Sequence, residues 1–292
     1  MKKWTVALLG MILALGITAC GKENAADNGS AAANEAANQG AVNAAANTAG
    51  DETAVPTADE LLTKAMDASE QLKSFSMEAN ISQNIAIAQG DAQQEQKVDI
   101  TMQVDYVKEP LGMYQVMNMS LGDQGSQNIE QYITKDNIFS KVDGTWVEIP
   151  SESRDALIQE LEQSASPEVQ LEQFKSIAGE SAVVLEGDEY ILSAELSGDG
   201  LKELAKTLLS QSGGEDEQTM ALLEQMNIES IKISNAFNKD TYLPTKSSVD
   251  IVMDMEAEGQ KISLNMVMDT KYSKFNEVAE IEVPQEALDS VQ

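Results

Sequence analysis

The sequence predicts an α+β fold with an antiparallel sheet as its main element, and two observations carry this prediction. Apolar and polar residues alternate along several segments, which is typical of antiparallel strands with one dry face and one wet face. Segments with helical spacing occur in blocks between groups of strands, and such segregation is typical of the α+β class. The chain of 292 residues is long enough for one large domain or two small ones.

The first helix is predicted to begin near residue 57. Thr57 and Glu60 have the spacing of a capping box, in which the hydroxyl and the carboxylate each accept a hydrogen bond from a free backbone amide. Apolar residues at helical spacing continue the pattern to about Lys73. They are Leu61, Leu62, Ala65, Met66 and Leu72.

Three stripes of alternating apolar residues predict long strands. The polar residues between them, such as Asp250, Asp254, Ser263, Asn265 and Asp269, are expected on the opposite face of the sheet. The second and third stripes are expected to pair as a long hairpin across the turn 258–260. The stripes are Val98, Ile100, Met102 and Val104; Val249, Ile251, Met253 and Met255; and Ile262, Leu264, Met266 and Met268.

The middle of the chain carries further predicted helices. Ser166-Pro167-Glu168 supplies an N-cap, a proline at the first helical position and an acid in the first turn. Asp199 has the position of another cap, and Gly213-Gly214 follows that helix as a break. The predicted helices lie near 156–161, 167–177, 201–209 and 220–226.

Charge and residue types exclude several functions. A net charge of −30 with one arginine, Arg154, argues against nucleic-acid binding, which needs clustered Lys and Arg. The chain has no histidine, which excludes imidazole catalysis and His-containing metal sites. The sequence has no Gly-x-Ser-x-Gly elbow, and aromatic residues are too sparse for the sugar platform of a glycoside hydrolase. We interpret Asp250, Asp254 and Glu256 as solvated surface, and we predict neither an enzyme nor a bound cofactor or metal.

Residues 1–19 are predicted to be a lipoprotein signal peptide. Lys2 and Lys3 precede an apolar run over residues 6–17, which is too short to span a bilayer comfortably. Ile17-Thr18-Ala19-Cys20 resembles the lipobox of bacterial lipoproteins, and Cys20 is the chain's single cysteine. The resemblance implies cleavage before Cys20 and a membrane anchor of acyl chains on its thiol, at the outer face of the cytoplasmic membrane. An ordinary signal peptide with a cysteine nearby is the alternative.

Residues 20–56 are predicted to be a flexible tether ahead of a folded domain at 57–292. Of the 34 residues from 23 to 56, 13 are Ala and 6 are Asn. The chain has no aromatic residue between Trp4 and Phe75. Such a segment buries too little apolar surface to offset the loss of chain entropy on folding. We therefore expect a disordered spacer that lifts the domain off the membrane.

The folded part resembles the LolA-like (LppX/LprG-like) lipoproteins, in particular an uncharacterised Gram-positive branch of unknown function. The resemblance rests on short segments of loose spacing and covers residues 57–292. It implies an antiparallel half-barrel with helices packed on its concave face. The segments are Gln131-Tyr132-Ile133-Thr134-Lys135-Asp136, Ile138-Phe139-Ser140-Lys141, Gly144-Thr145-Trp146-Val147-Glu148, Asn238-Lys239-Asp240-Thr241-Tyr242-Leu243-Pro244-Thr245, Tyr272-Ser273-Lys274-Phe275-Asn276 and Ile281-Glu282-Val283-Pro284.

In that superfamily the space between sheet and helices often holds acyl chains. The resemblance therefore implies a membrane-anchored protein that binds a lipid, a glycolipid or another apolar ligand, with the three stripes as the cavity lining. The alternative, by analogy with a related fold in envelope-stress regulators, is an interaction or sensor protein with a filled core and a protein partner in the cell envelope.

Nine methionines fall in predicted strands and leave both interpretations open. Unbranched thioether side chains repack around ligands of variable shape, which suits an adaptable pocket. Ordinary filling of a core under helices is the simpler explanation, because a half-barrel needs a core in either case. They are Met77, Met102, Met113, Met117, Met119, Met253, Met255, Met266 and Met268.

Overall fold

The computed structural model describes residues 55–89, 92–122, 125–142, 144–150, 154, 157–158, 178–197, 226–257 and 260–290. The predicted signal peptide, Cys20 and nearly all of the predicted tether lie outside these ranges. Most of the predicted helices between residues 156 and 226 also lie outside them, although Leu157 and Ile158 are helical as predicted. No helix in the described ranges is both long enough and apolar enough to cross a bilayer.

Helix α1, Ala58–Glu70, begins with the predicted capping box. Thr57 Oγ1 accepts from the Glu60 amide at 3.3 Å, and the Thr57 amide donates to Glu60 Oε2 at 3.0 Å. The helix ends at Glu70, earlier than predicted. The reason is a tight turn, in which the Leu72 amide donates to the Ser69 carbonyl at 3.0 Å and leads the chain into the sheet.

The sheet contains eleven strands in the described part of the chain, and every neighbouring pair is antiparallel. They are β1 Ser74–Gln89, β2 Ala92–Val107, β3 Gly112–Ser120, β4 Ser126–Thr134, β5 Ile138–Val142, β6 Thr145–Glu148, β7 Ser181–Glu186, β8 Glu189–Leu196, β9 Met226–Asn238, β10 Pro244–Ala257 and β11 Gln260–Ser273.

The order across the sheet is β6-β5-β4-β3-β2-β1-β11-β10-β9-β8-β7. The sheet is therefore two meanders, β1–β6 and β7–β11, joined by pairing of the first strand with the last. A short 3₁₀ helix, Ala178–Glu180, precedes β7, and helix α2, Gln285–Asp289, follows the sheet. The predicted α+β class and the antiparallel sheet are confirmed.

Two local predictions have definite outcomes. The long hairpin is confirmed, because β10 and β11 pair from Lys246 opposite Lys271 to Ala257 opposite Gln260. The predicted helix near 220–226 is wrong at its last residue, because Met226 already pairs with Met255 in the sheet. Pairing with β10 outweighs the weak helical pattern there.

The buried clusters lie on one face of the sheet, which we call the apolar face. Alternation and register place on it Val98 of β2, Ile85 of β1 and Leu264 of β11. Helix α1 packs against this face at the β8–β9 end, where Leu61 and Leu62 contact Leu192 and Phe237. Thus one of the predicted helices lies on the apolar face of the sheet.

The opposite face, which we call the polar face, is partly covered by the C-terminal segment. Gly112 of β3 leaves room for this segment, since a Cβ atom at that position would lie 2.9 Å from Ile281 Cβ. Phe139 of β5 and Ala287 of α2 are buried. The chain end is anchored near β1 as well, where the Lys73 amide donates to Asn276 Oδ1 at 2.7 Å.

Candidate ligand-binding face

All twelve residues of the three predicted stripes lie on the apolar face. Register pairs the β10 stripe directly with the β11 stripe, from Val249 opposite Met268 to Met255 opposite Ile262. The β2 stripe lies two strands away from β11, on the far side of β1. The three stripes therefore lie on one face of the sheet, where their buried residues contribute to two clusters, one around Val104 and one around Ile262 and Leu264.

Strand β1 joins these stripes, and sequence reasoning left its residues out of the site. Ile81 lies opposite Ile100 of β2 on one side and Met268 of β11 on the other. Ile85 lies opposite Leu264 and is buried with it. The alternation of Ile81, Ile85 and Ile87 indicates that β1 belongs to the same face, but polar Gln83 interrupts this apolar pattern.

Burial along the stripes falls into two classes. The branched residues Val98, Ile100, Val104, Ile262 and Leu264 are at most 8% exposed. All the methionines of the stripes are half-buried, as are Val249 and Ile251. The face is thus enclosed along β2 and at Ile262 and Leu264 of β11, and it is less enclosed at the methionines and along the β10 stripe.

The nine methionines that the sequence predicted in strands share this face. Met102 of β2 lies opposite Met117 of β3, and Ile100 lies opposite Met119. Met113 is 7% exposed, whereas the other eight are half-buried. Flexible, polarizable side chains therefore surround the better-packed branched residues and can adopt more than one packing.

Amides are interspersed among these apolar side chains. Gln83 Nε2 donates to the Met266 sulfur at 3.4 Å, and Gln131 Nε2 donates to Ser140 Oγ at 3.0 Å. Gln115 lies opposite Gln131. Asn235 of β9 is 5% exposed, and its Nδ2 has no hydrogen-bond partner in the described part of the chain. The sequence pattern assigned no role to any of these four amides.

The polar face carries the charged residues of β2 and of the β10–β11 hairpin. Hydrogen bonds from Lys97 and then from Ser82 hold the pKa of Asp99 below its ordinary value. Asp254 lies 3.1 Å from Lys261, and hydrogen bonds from Ser263 and then from Lys261 lower its pKa. These carboxylates are therefore ionised and paired at neutral pH, as expected of a solvated sheet surface.

A cavity of about 710 Å³ lies at the ends of β1, β2, β10 and β11 that are remote from α1. Met253 and Leu264 are the predicted lining residues that border it. Asn84, Lys97 and Asn265 border it as well, and their alternation places them on the polar face. This cavity is mixed in character and is distinct from the predicted apolar space.

Three aromatic residues form a row on the polar face, which the low aromatic content of the chain did not predict. The ring centroids of Tyr114 and Tyr132 are 4.6 Å apart, and those of Tyr132 and Trp146 are 5.8 Å apart. Glu286 of α2 accepts from Trp146 Nε1 at 3.1 Å and from Lys141 Nζ at 3.0 Å. Burial raises the pKa of Tyr132, and Tyr114 and Glu130 act in the same direction. Trp146, at one end of the row, together with Lys141 thus binds the C-terminal helix through Glu286.

Comparison with known proteins identifies a family. The model of a family of unknown function, DUF6612, matches residues 57–292. No curated protein matches the chain.

Three solved structures are similar to the chain at low identity. LprF from Mycobacterium bovis is 12% identical, covering 79% of this chain and 99% of that chain with a TM-score of 0.35. A LolA superfamily protein from Nitrosomonas europaea is 13% identical, covering 79% and 96% with a TM-score of 0.18. The ywiB protein from Bacillus subtilis is 9% identical, covering 67% and 92% with a TM-score of 0.19. At these TM-scores the fold assignment rests on the strand order and register described above.

Proposed function

The chain belongs to the DUF6612 family of unknown function, and we propose that it is a membrane-anchored extracytoplasmic protein that binds a lipid or another apolar ligand on the apolar face. This membership confirms the predicted placement in a branch of unknown function. The proposal itself rests on the composition and burial of the apolar face.

One observation carries the proposal: eight methionines on the apolar face are half-buried, as are Val249 and Ile251, although they lie beside other branched residues that are buried. A solid core would enclose these side chains as completely as their neighbours, because protein interiors are close-packed. Incomplete burial of flexible apolar groups is what a surface needs if it is to repack around an acyl chain.

The anchor follows from the lipobox-like end of the signal peptide at Cys20. Each buried CH₂ of an acyl chain contributes about 0.8 kcal/mol, so two or three chains hold a protein firmly. The segment 20–56 then acts as a spacer, with a reach of roughly 30–36 Å as a random coil. A ligand could thereby be taken from, or handed to, the membrane that holds the protein.

Native mass spectrometry of the full chain, purified from its own membrane in a mild detergent, tests the proposal. Bound lipid is expected as added mass beyond that of the covalent acyl anchor. The matched control is the chain after delipidation by organic extraction and refolding, which should recover that added mass when a membrane lipid extract is returned. If no mass is added in either sample, the ligand-binding proposal fails, and a protein partner in the envelope becomes the better explanation.

A further inference from the structure

The apolar face carries no charged side chain in any of the eleven described strands. The chain has 49 acidic and 19 basic residues, and its described strands contain many of them. Register assigns the paired charged residues to the polar face. Glu229 is the extra residue at the irregularity between β9 and β10 and has no partner in the register, but its side chain interacts with Asp254 of the polar face. The face that would hold a ligand is therefore neutral over its whole described extent.

The polar groups that do occur on this face are neutral, and they lie within the apolar rows. Gln115 and Gln131 lie opposite each other, between the pair Met113–Ile133 and the pair Met117–Ile129. Gln83 lies between Ile81 and Ile85 on β1. A ligand bound on this face would therefore contact amide groups as well as apolar side chains.

The hydrogen-bonding capacity of these amides is largely unused. Gln83 donates to a thioether sulfur, which is a weak acceptor. Gln115 makes no side-chain hydrogen bond within the described residues, and Asn235 Nδ2 is buried without a partner there. Half-buried polar groups are stable when something supplies the missing partners, either water or a ligand.

We propose that the ligand of the apolar face is an uncharged acyl lipid, whose ester or hydroxyl groups hydrogen-bond to the facing pair Gln115 and Gln131, and that anionic phospholipids are disfavoured. This inference rests on the proposed function and specifies its ligand class. A phosphate group brought onto the face would lose water and find no cation, which is unfavourable. The strong negative charge of the chain as a whole would repel it further.

Two lipids with identical acyl chains test the proposal. The full chain in non-ionic detergent is incubated with dioleoylglycerol or with dioleoylphosphatidylglycerol at equal concentration, and bound lipid is counted by native mass spectrometry. We expect dioleoylglycerol occupancy to be greater by about tenfold or more. Equal or greater occupancy by dioleoylphosphatidylglycerol would overturn this inference and leave lipid binding intact. Uptake of neither lipid would overturn the proposed function itself.

Two variants, each of which introduces one lysine on a different face of the sheet, form a matched pair. Gln83→Lys puts a cation on the apolar face and should shift the preference toward dioleoylphosphatidylglycerol. Gln103→Lys makes the same change on the exposed polar face of β2 and should leave the preference unaltered. An equal shift in both variants would mean that overall charge, and not the neutral face, sets the preference.

The amides have their own test, which holds even if Gln83→Lys does not fold. Gln115→Leu keeps the approximate size of the side chain and removes its hydrogen-bonding groups. We expect a several-fold lower occupancy by dioleoylglycerol, with no loss for hexadecane, which has nothing to hydrogen-bond. Unchanged occupancy by dioleoylglycerol would contradict the role assigned to the amides.

Discussion

Met266 of β11 lies directly opposite Ile251 of β10, and the two side chains share the apolar face. Both side chains are half-buried, and both lie in the middle of long strands. On the adjacent strand, Gln83 donates to the Met266 sulfur at 3.4 Å. Met266 thus lies at the junction of three strands, where a filled core and a ligand surface predict different effects of substitution.

Met266→Ala should cost less than the value of about 2–5 kcal/mol that is usual for truncation in a filled core. The reason is that Met266 is half-buried, so its removal opens little closed cavity. The same variant should hold less lipid. Denaturant unfolding and native mass spectrometry measure the two effects, and Val267→Ala, one residue away on the polar face, is the control. A core-sized loss of stability without bound lipid in any sample would favour a filled core.

Gly112→Ala should destabilise the protein by about 1–3 kcal/mol, the usual cost of overpacking. The added Cβ would lie 2.9 Å from Ile281 Cβ, where the C-terminal segment crosses the sheet. Ile281→Gly removes the opposing atom, so the double variant should lose less than the sum of the single variants. Gly179→Ala meets no atom within 4 Å and is the control. Additive losses in urea unfolding would mean that this contact is not the cause.

Glu189→Gln should destabilise the protein at neutral pH by about 1 kcal/mol, the usual net worth of a hydrogen bond. Glu189 accepts from Thr245 Oγ1 at 2.6 Å and from Lys246 Nζ at 2.9 Å, and these bonds lower its pKa. A lowered pKa means that the stabilisation is present above the ordinary value of about 4.3 and is lost as the pH falls through the folded-state value.

The stability difference between wild type and Glu189→Gln should accordingly shrink as the pH is lowered below about 4. Thermal unfolding across a pH series measures it. Glu195→Gln is the control on the same strand, because its contact with Lys232 is 3.5 Å long and both side chains are well exposed. A difference that stays constant down to pH 3 would contradict the ionic role of Glu189.

Thr57→Ala should lower stability by about 1 kcal/mol, because it removes the hydroxyl that accepts from the Glu60 amide. At this chain length such a loss corresponds to a fall in Tm of about 2–4 °C. Thr63→Ala, an exposed position in the middle of α1, is the control and should be neutral or slightly stabilising. Equal melting temperatures for Thr57→Ala and wild type would mean that α1 does not melt with the sheet.

Cys20→Ala should abolish membrane anchoring or block processing, because the thiol is the predicted site of acylation. Metabolic labelling with a fatty acid, followed by membrane fractionation, is the measurement. Removal of residues 21–56 with Cys20 retained should leave both label and membrane association in place. Acyl label that persists on the Cys20→Ala protein would refute the assignment.

Local pattern was sufficient for several elements. The capping box of Thr57 and Glu60 is a short-range arrangement, so four residues of sequence predict it. The β10–β11 hairpin follows from two alternating stripes separated by a short turn, because strands so close in sequence have few other ways to pair. The division of Asp250 and Ile251 between two faces follows from the period of two alone.

Other relationships depended on distant parts of the chain. The pairing of β1 with β11 joins residues such as Ile81 and Met268, and alternation contains no information about which strand lies beside which. The contact between Gly112 and Ile281 and the row of Tyr114, Tyr132 and Trp146 arise in the same way. Such contacts depend on loop closure and packing, which a local period does not encode.

The sequence by itself determined the fold class, the faces of the long strands and the candidate anchor at Cys20, because each depends on local chemistry or spacing. Only the tertiary structure decided that three separate stripes form one surface, since β1 brings the first and last strands of the sheet together. It also decided that Gln83, Gln115 and Gln131 lie within this surface while every charged strand residue in the described part of the chain lies on the other side. Whether a whole face lacks charge depends on how many strands pair and in which register, so no single segment of the sequence shows it.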